Sequence, residues 1–267
     1  MLAALSRLSL PLLAALASTA RCDPPATAEA VHADTAIILD GRGDESFWSH
    51  APAASLARLG QTPPRQAGNV RFAWNERHLY LFADFIDDDA VATGRSGRVS
   101  HQTEGDVLEL FIGPVGRSWY WEIHYTPAGL RSAFFFPSAG RRFGSNITES
   151  PRLRHRHSVV IEGTLNEWRD RDTGWSAEIS IPWADLAVDD DEPPPAPGDW
   201  RVLVGRYDYS RWQDEVEISF WPPLSALRFH RPDFFAPLLL RAPETGSAPP
   251  PASEPKSSKR SKRNARG

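Results

Sequence analysis

Short segments in which apolar and polar residues alternate recur through the middle of this chain. In residues 175–181, Trp175 and three further apolar residues alternate with serine and glutamate. Because successive side chains of a β-strand point to opposite faces, this pattern predicts a strand with one buried face. Pro182 lacks an amide donor, so it ends the strand and allows a helical turn to begin at Trp183. We expect Trp175 in the core and Trp183 over an edge of the sheet, and neither as a ligand platform.

Similar segments, about nine or ten in number, fill residues 36–243. Many β-branched and aromatic residues lie in them, and helical patterns are confined to short turns near residues 44–50 and after Pro182. We therefore predict an all-β domain over residues 36–243, an antiparallel, jelly-roll-like β-sandwich with few short helical turns and disordered termini.

The first 22 residues predict an export signal. Arg7 is followed by an apolar stretch at residues 8–17 that is too short to span a bilayer. We expect an exported bacterial protein that is periplasmic or secreted, followed by a linker at residues 23–35. Cys22 is the sole cysteine, which excludes disulfides within the chain. Its position leaves two outcomes open, lipid anchoring at Cys22 or cleavage after Ala20.

Residues 244–267 predict a disordered polybasic tail, rich in proline and serine. Residues 254–267 hold six lysines and arginines and one glutamate, whereas the whole chain has a net charge of −4. The tail is either solvated or contacts an anionic surface of the cell envelope. The acidic remainder of the chain argues against nucleic acid as a partner. We expect a monomer.

Six stretches, in order, resemble family 9 carbohydrate-binding modules and their close relatives over residues 36–241. They are "ILDGRGDESFW", "VRFAWNERHLYLFADFIDDD", "EGDVLELFIG", "WYWEIHYTPAG", "GWSAEISIPWADL" and "ISFWPPLSALRFHRPDFFAPLLL". The resemblance implies a β-sandwich that binds a polysaccharide or oligosaccharide without catalysis, in association with polysaccharide binding or breakdown.

The resemblance also implies the ligand-binding residues. The family holds a sugar between two aromatic rings, with a carboxylate and a basic group on its hydroxyls; these positions correspond here to Glu109, His124 and Phe229 as the second ring. The first ring is replaced by Thr103. We expect Glu109, His124 and Phe229 to border one shallow depression, unless Glu109 pairs with an arginine and Phe229 belongs to the core. Other aromatic residues, such as Trp212 or Trp221, are alternative platforms.

Two further functions remain open beside glycan binding. One is a structural or interaction module of the cell envelope that has lost sugar binding. The other is a glycoside hydrolase that uses Glu109 and Glu122, which requires both carboxylates in one cleft; we expect no enzyme activity and no catalytic residues. No cofactor follows from the residues alone. The resemblance leaves room for structural calcium at the acidic turn of residues 87–89.

Overall fold

The computed structural model describes residues 26–97, 100–138, 153–188 and 194–242, and these residues form an all-β fold. Twelve strands lie within these ranges. Their bounds are β1 Ala28–His32, β2 Ala54–Ser55, β3 Gly68–Trp74, β4 His78–Ile86, β5 Val107–Pro114, β6 Tyr120–Tyr125, β7 Arg131–Phe136, β8 Arg156–Glu162, β9 Gly174–Pro182, β10 Trp200–Asp208, β11 Glu217–Trp221 and β12 Ala236–Leu240.

The strands form one curled sheet of mixed direction. Its order is β7-β6-β5-β10-β12-β1-β3-β4-β9-β8, with β11 paired to β10 and β2 paired to β3. The strand β1 runs parallel to both of its neighbours, whereas the other pairs among the described strands are antiparallel. The expectation of a purely antiparallel sheet is therefore wrong at β1, which joins the two halves of the sheet.

The strand β1 lies inside residues 23–35, the segment that we predicted to be a linker. Ala28 and Ala30 face the interior and are buried, and Ala28 is aligned with Leu238 of β12. Alternate alanines give a strand a narrow buried face, but their low hydrophobicity makes the pattern resemble that of a linker. The ordered domain thus begins before residue 36.

The main core contains residues from both halves of the sheet, including β4 and β9 from one half and β5, β6 and β10 from the other. Trp175 is among its most buried side chains, as predicted: its ring lies 4.6 Å from that of Phe85, and its Nε1 donates to Asp87. Trp183 is also buried in this core, and its Nε1 donates to the carbonyl of Asn75. Neither tryptophan offers a free face to a ligand.

The helices of the described ranges are short 3₁₀ turns, at Ser46–Ser49, His101–Thr103, Trp183–Leu186 and Pro232–Phe234. None of them has the length and apolar character needed to cross a bilayer. The predicted export signal with Cys22, and the predicted tail at residues 244–267, lie outside the described residues.

Candidate functional site

Three of the strands bring the predicted carboxylate and the predicted basic group side by side. Glu109 of β5 is aligned with His124 of β6 on one side and with Gly205 of β10 on the other. The leucines flanking Glu109 belong to the main core, so Glu109 projects from the opposite face of the sheet. Glu122 lies two residues before His124 and therefore shares that face.

The imidazole of His124 lies between two carboxylates. Its Nε2 is 2.8 Å from Oε1 of Glu122 and 3.2 Å from Oε1 of Glu109. All three side chains are buried, with exposed fractions of 0–5%. Such a group is stable only if its charges compensate one another, because isolated buried charges are costly.

Burial alone lowers the pKa of His124, but the hydrogen bonds and charges of Glu109 and Glu122 outweigh it and raise this pKa to about 9. Burial raises the pKa of Glu109, whereas the hydrogen bond and the charge of His124 lower it. The backbone N–H of His101 donates to Nδ1 of His124 over 3.3 Å, which requires a neutral Nδ1. This contact is long, and two close carboxylates favour the imidazolium more strongly. We therefore assign a proton to both ring nitrogens at neutral pH.

Phe229 lies beside Glu109, above the glycine that separates them. A Cβ atom on Gly205 would lie 3.4 Å from Oε2 of Glu109 and 3.6 Å from the ring of Phe229. The ring is also part of a second apolar cluster, 5.7 Å from Phe111 and 5.8 Å from Phe220. Phe229 thus belongs to the packed interior as well as to the neighbourhood of the carboxylate.

The three predicted ligand residues are adjacent, but the depression is not open. Glu109 has an exposed fraction of 2%, His124 of 0% and Phe229 of 9%. The segment between β11 and β12, which carries Phe229, packs on this face of the sheet. Glu109 pairs with His124. The alternative that we considered, in which Glu109 pairs with an arginine, was therefore wrong about the partner.

The position expected for the first aromatic ring lies at the edge of this group. Thr103 is exposed and ends the 3₁₀ turn whose first residue, His101, is buried against His124. The sequence reading missed Phe134, whose ring is 5.2 Å from that of His124, and Ser132, whose Oγ lies 3.1 Å from Nε2 of His101. Ser132 and Phe134 are two residues apart on β7 and share the sheet face of Glu122. This spacing is the one sequence signal that could have identified them.

The three aspartates of the acidic turn at residues 87–89 have their partners in two different places. Asp88 binds surface arginines and Asp89 accepts the N–H of Arg211, so neither converges on a common point with Asp87. Asp87 instead joins Asp106 and Asp208, with one oxygen of each within 4.8 Å of the others. These hard oxygen donors suit calcium. Two of them also contact the buried guanidinium of Arg206.

Arg206 supplies one positive charge to the three buried aspartates. Its Nη2 lies 3.1 Å from Asp87 and 3.3 Å from Asp208. Asp106 accepts backbone N–H groups at both oxygens. Burial raises the pKa of Asp208 to about 7, with Arg206 opposing this shift. Burial also raises the pKa of Asp106 well above its usual value, which favours its neutral form; a cation bound by the three convergent oxygen donors would displace that proton.

Comparison with solved structures identifies similar folds. A protein from Bacteroides uniformis, named as a candidate carbohydrate-binding protein, has a TM-score of 0.59 and 18% identity over 80% of this chain and 99% of its own. A family 9 carbohydrate-binding module from Caldicellulosiruptor kristjanssonii with cellotriose has a TM-score of 0.55 and 12% identity, covering 84% and 98%. The same kind of module from that organism with glucose has a TM-score of 0.53 and 11% identity, covering 83% and 100%.

No protein-family model matches the sequence, and no curated protein matches it. The structural likeness extends over at least four-fifths of the chain and almost all of each neighbour. The described residues, with twelve strands in a curled all-β sheet, have the fold of a family 9-like carbohydrate-binding module.

Proposed function

We propose that this protein is a non-catalytic glycan-binding module. The observation that carries the proposal is the likeness, at TM-scores of 0.53–0.59, to three chains named for carbohydrate binding, two of which hold glucose or cellotriose. We further propose that the curled sheet closes as a sandwich, with the main core as its interior, and that the protein is exported and takes part in polysaccharide binding or breakdown. The basic tail would contact the envelope surface.

The proposed sugar site is the face of Glu109, His124 and Phe229. Glu109 and Glu122 hold His124 in place through one oxygen each; Oε2 of Glu122 is buried without a hydrogen bond and lies 3.7 Å from Nδ1 of His230. The rings of Phe229 and Phe134 flank this group and have edges at the surface, with exposed fractions of 9% and 8%. A sugar reaches the carboxylates once the segment between β11 and β12 moves outward.

The arrangement of Glu109 and Glu122 argues against a glycoside hydrolase. Glycosidases keep their two carboxyl groups about 5–10 Å apart, with the scissile bond between them. Here His124 occupies the position between the two groups, with Nε2 at 3.2 Å from Glu109 and 2.8 Å from Glu122. The two carboxylates neutralise the imidazolium, and no scissile bond can lie between them.

The burial of the proposed site favours a second candidate function. Contacts among Phe229, Phe111 and Phe220 close the face that a ligand needs. A module of the cell envelope that kept the fold and lost sugar binding would have this packing.

Titration of the full chain with glucose and with cellotriose, followed calorimetrically, separates the two functions. We expect binding that falls by about tenfold in Glu109→Gln, which keeps the shape and removes the charge. Phe229→Leu, which keeps the apolar volume and removes the ring, should have a similar effect. Ile38→Ala, at a position that is 73% exposed, is the control. Absence of heat with both sugars would favour the envelope module.

A further inference from the structure

Two tryptophans are exposed on loops at one end of the sheet. The side chains of Trp168 and Trp212 have exposed fractions of 61% and 44%, whereas the other described tryptophans are buried or half-buried. Large exposed aromatic rings are unusual on a folded domain and are enriched where a ligand or a partner binds. Trp168 precedes β9, and Trp212 follows β10.

An arginine lies between the two rings. The guanidinium carbon of Arg211 is 4.0 Å from the ring centre of Trp212 and 5.5 Å from that of Trp168. Among the described residues, no carboxylate lies within ion-pair distance of this guanidinium, although Asp214 and Glu215 follow in the same loop. Arg211 is exposed, so its N–H groups are free to bind an anion.

The flanking arginines differ from Arg211 because each has an acidic partner. Arg171 lies 5.3 Å from the ring of Trp212 and is paired with Asp88 over 2.8 Å. Arg169 lies 4.9 Å from the ring of Trp168 and is paired with Glu167. Among the described arginines of this surface, Arg211 is therefore the one without an acidic partner.

Hydrogen bonds fix the loop that carries Trp212. Ser210 Oγ donates to Asp88 over 2.7 Å and accepts the N–H of Trp212, while the N–H of Arg211 donates to Asp89. Arg65 donates to the carbonyl of Trp212 over 2.6 Å. The turn of residues 87–89 thus fixes the backbone of the loop that carries the exposed ring.

The loop that carries Trp168 is fixed in a similar way. Asn166 forms hydrogen bonds in both directions with the backbone of Ala92, and its own N–H donates to Ala90. Asp172 accepts the N–H groups of Ala90 and Thr164. Preorganised rings lose little conformational entropy on binding, which favours a recognition role.

From this geometry we propose that Trp168, Arg211 and Trp212 form a binding surface for acidic glycans built from uronic acids. The C–H faces of successive sugars contact the exposed parts of the indole rings that the arginines leave uncovered, and Arg211 binds a carboxylate with two parallel hydrogen bonds. The proposal rests on the proposed glycan-binding function and adds a second surface, distinct from Glu109 and Phe229, with its own ligand class.

The test is a calorimetric titration of the full chain with polygalacturonate and with its methyl ester. The ester has the same sugars but lacks the negative charges. We expect binding of the acid, with about tenfold weaker binding of the ester. Trp168→Ala, Trp212→Ala and Arg211→Gln should each weaken binding of the acid by about tenfold. Arg42→Gln, an exposed arginine elsewhere, should bind like the parent.

Each contrary result overturns a stated part of the proposal. Equal binding of acid and ester overturns recognition of the carboxylate. Parent-like binding by all three variants overturns the surface, and no binding of polygalacturonate by the parent overturns the ligand class. These failures are distinct from failure of the proposed function, which is read from glucose and cellotriose with Glu109→Gln and Phe229→Leu. The three substitutions are at exposed positions, so unchanged melting temperatures are expected and verify the fold.

Discussion

The Nε2 atom of His124 lies 2.8 Å from Oε1 of Glu122, and both side chains are inaccessible to solvent or nearly so. Glu109 approaches the same nitrogen from the neighbouring strand at 3.2 Å. One buried imidazolium thus joins β5 and β6 beneath the proposed sugar site. Its charge state governs both the stability of the sheet and the field that a ligand would meet.

The stability of the domain should fall as the pH rises through 9. The pKa of His124 is about 9 in the folded protein and 6.5 when unperturbed, so the folded state binds this proton more tightly. The resulting stabilisation is complete below about pH 6.5 and is lost as the pH rises through the folded pKa. It amounts to about 3 kcal/mol. Urea unfolding between pH 6 and pH 10 measures this loss.

A substitution at the same position provides the control for the pH dependence. His124→Gln removes the titrating group, so its free energy of unfolding should be lower at neutral pH and should lack the fall near pH 9. Equal slopes for the parent and His124→Gln would show that another group titrates there.

Trp175→Ala should destabilise the domain by about 3–5 kcal/mol, because it removes a large ring from the core together with its hydrogen bond to Asp87. Trp168→Ala is the matched control, since the same ring is 61% exposed there and its loss should change stability by less than about 0.5 kcal/mol. Chemical denaturation measures both. Similar midpoints for the two variants would contradict the assignment of Trp175 to the core.

Arg206→Leu should cost about 3–5 kcal/mol, because Asp87 and Asp208 would lose their buried cation. The guanidinium also donates to the carbonyls of Gln66 and Ile86, which a lysine cannot reach together. Arg206→Lys should therefore recover only part of the loss. If Arg206→Leu melts at the parent's temperature, protonated aspartates need no cation and the ion pairs contribute little.

Calcium should stabilise the domain through Asp87, Asp106 and Asp208, which offer three convergent oxygen donors. Relative to protein treated with EDTA, about 1 mM calcium should raise the melting temperature by about 2–4 °C. Asp106→Asn should abolish this shift. Asp84→Asn, whose carboxylate is partly exposed and paired with Arg71, should keep it. A shift that persists in Asp106→Asn would place the ion elsewhere.

Much of the fold followed from the alternation of apolar residues, since burial of one strand face leaves a period of two in the sequence. Trp175 was assigned to the core on this basis and is buried there; Trp183 was placed over an edge of the sheet and is instead buried in the main core. The strand β1 was missed because alanines at positions 28 and 30 contribute little hydrophobicity, and its parallel pairing depends on strands far along the chain.

The candidate site was predictable only within single strands. The alternation placed Glu109 and His124 on polar faces, and pairing of β5 with β6 makes them neighbours. Their burial was not predictable, because it depends on Phe229 and on the turn at His101, which arrive from distant segments. The stacking of Arg211 between Trp168 and Trp212 likewise joins two loops about 40 residues apart, which no local pattern records.

The parallel pairing of β1 with β12 determines how the domain would respond to mechanical force. Ala28 is aligned with Leu238 and Ala30 with Leu240, so the chain enters β1 at one end of the pair and leaves β12 at the other. Tension applied through the two ends of the domain therefore pulls these strands past each other along their axes. All hydrogen bonds of the pair bear the load together and cannot be opened one after another, so the first strand and the last form a shear clamp that should resist extension.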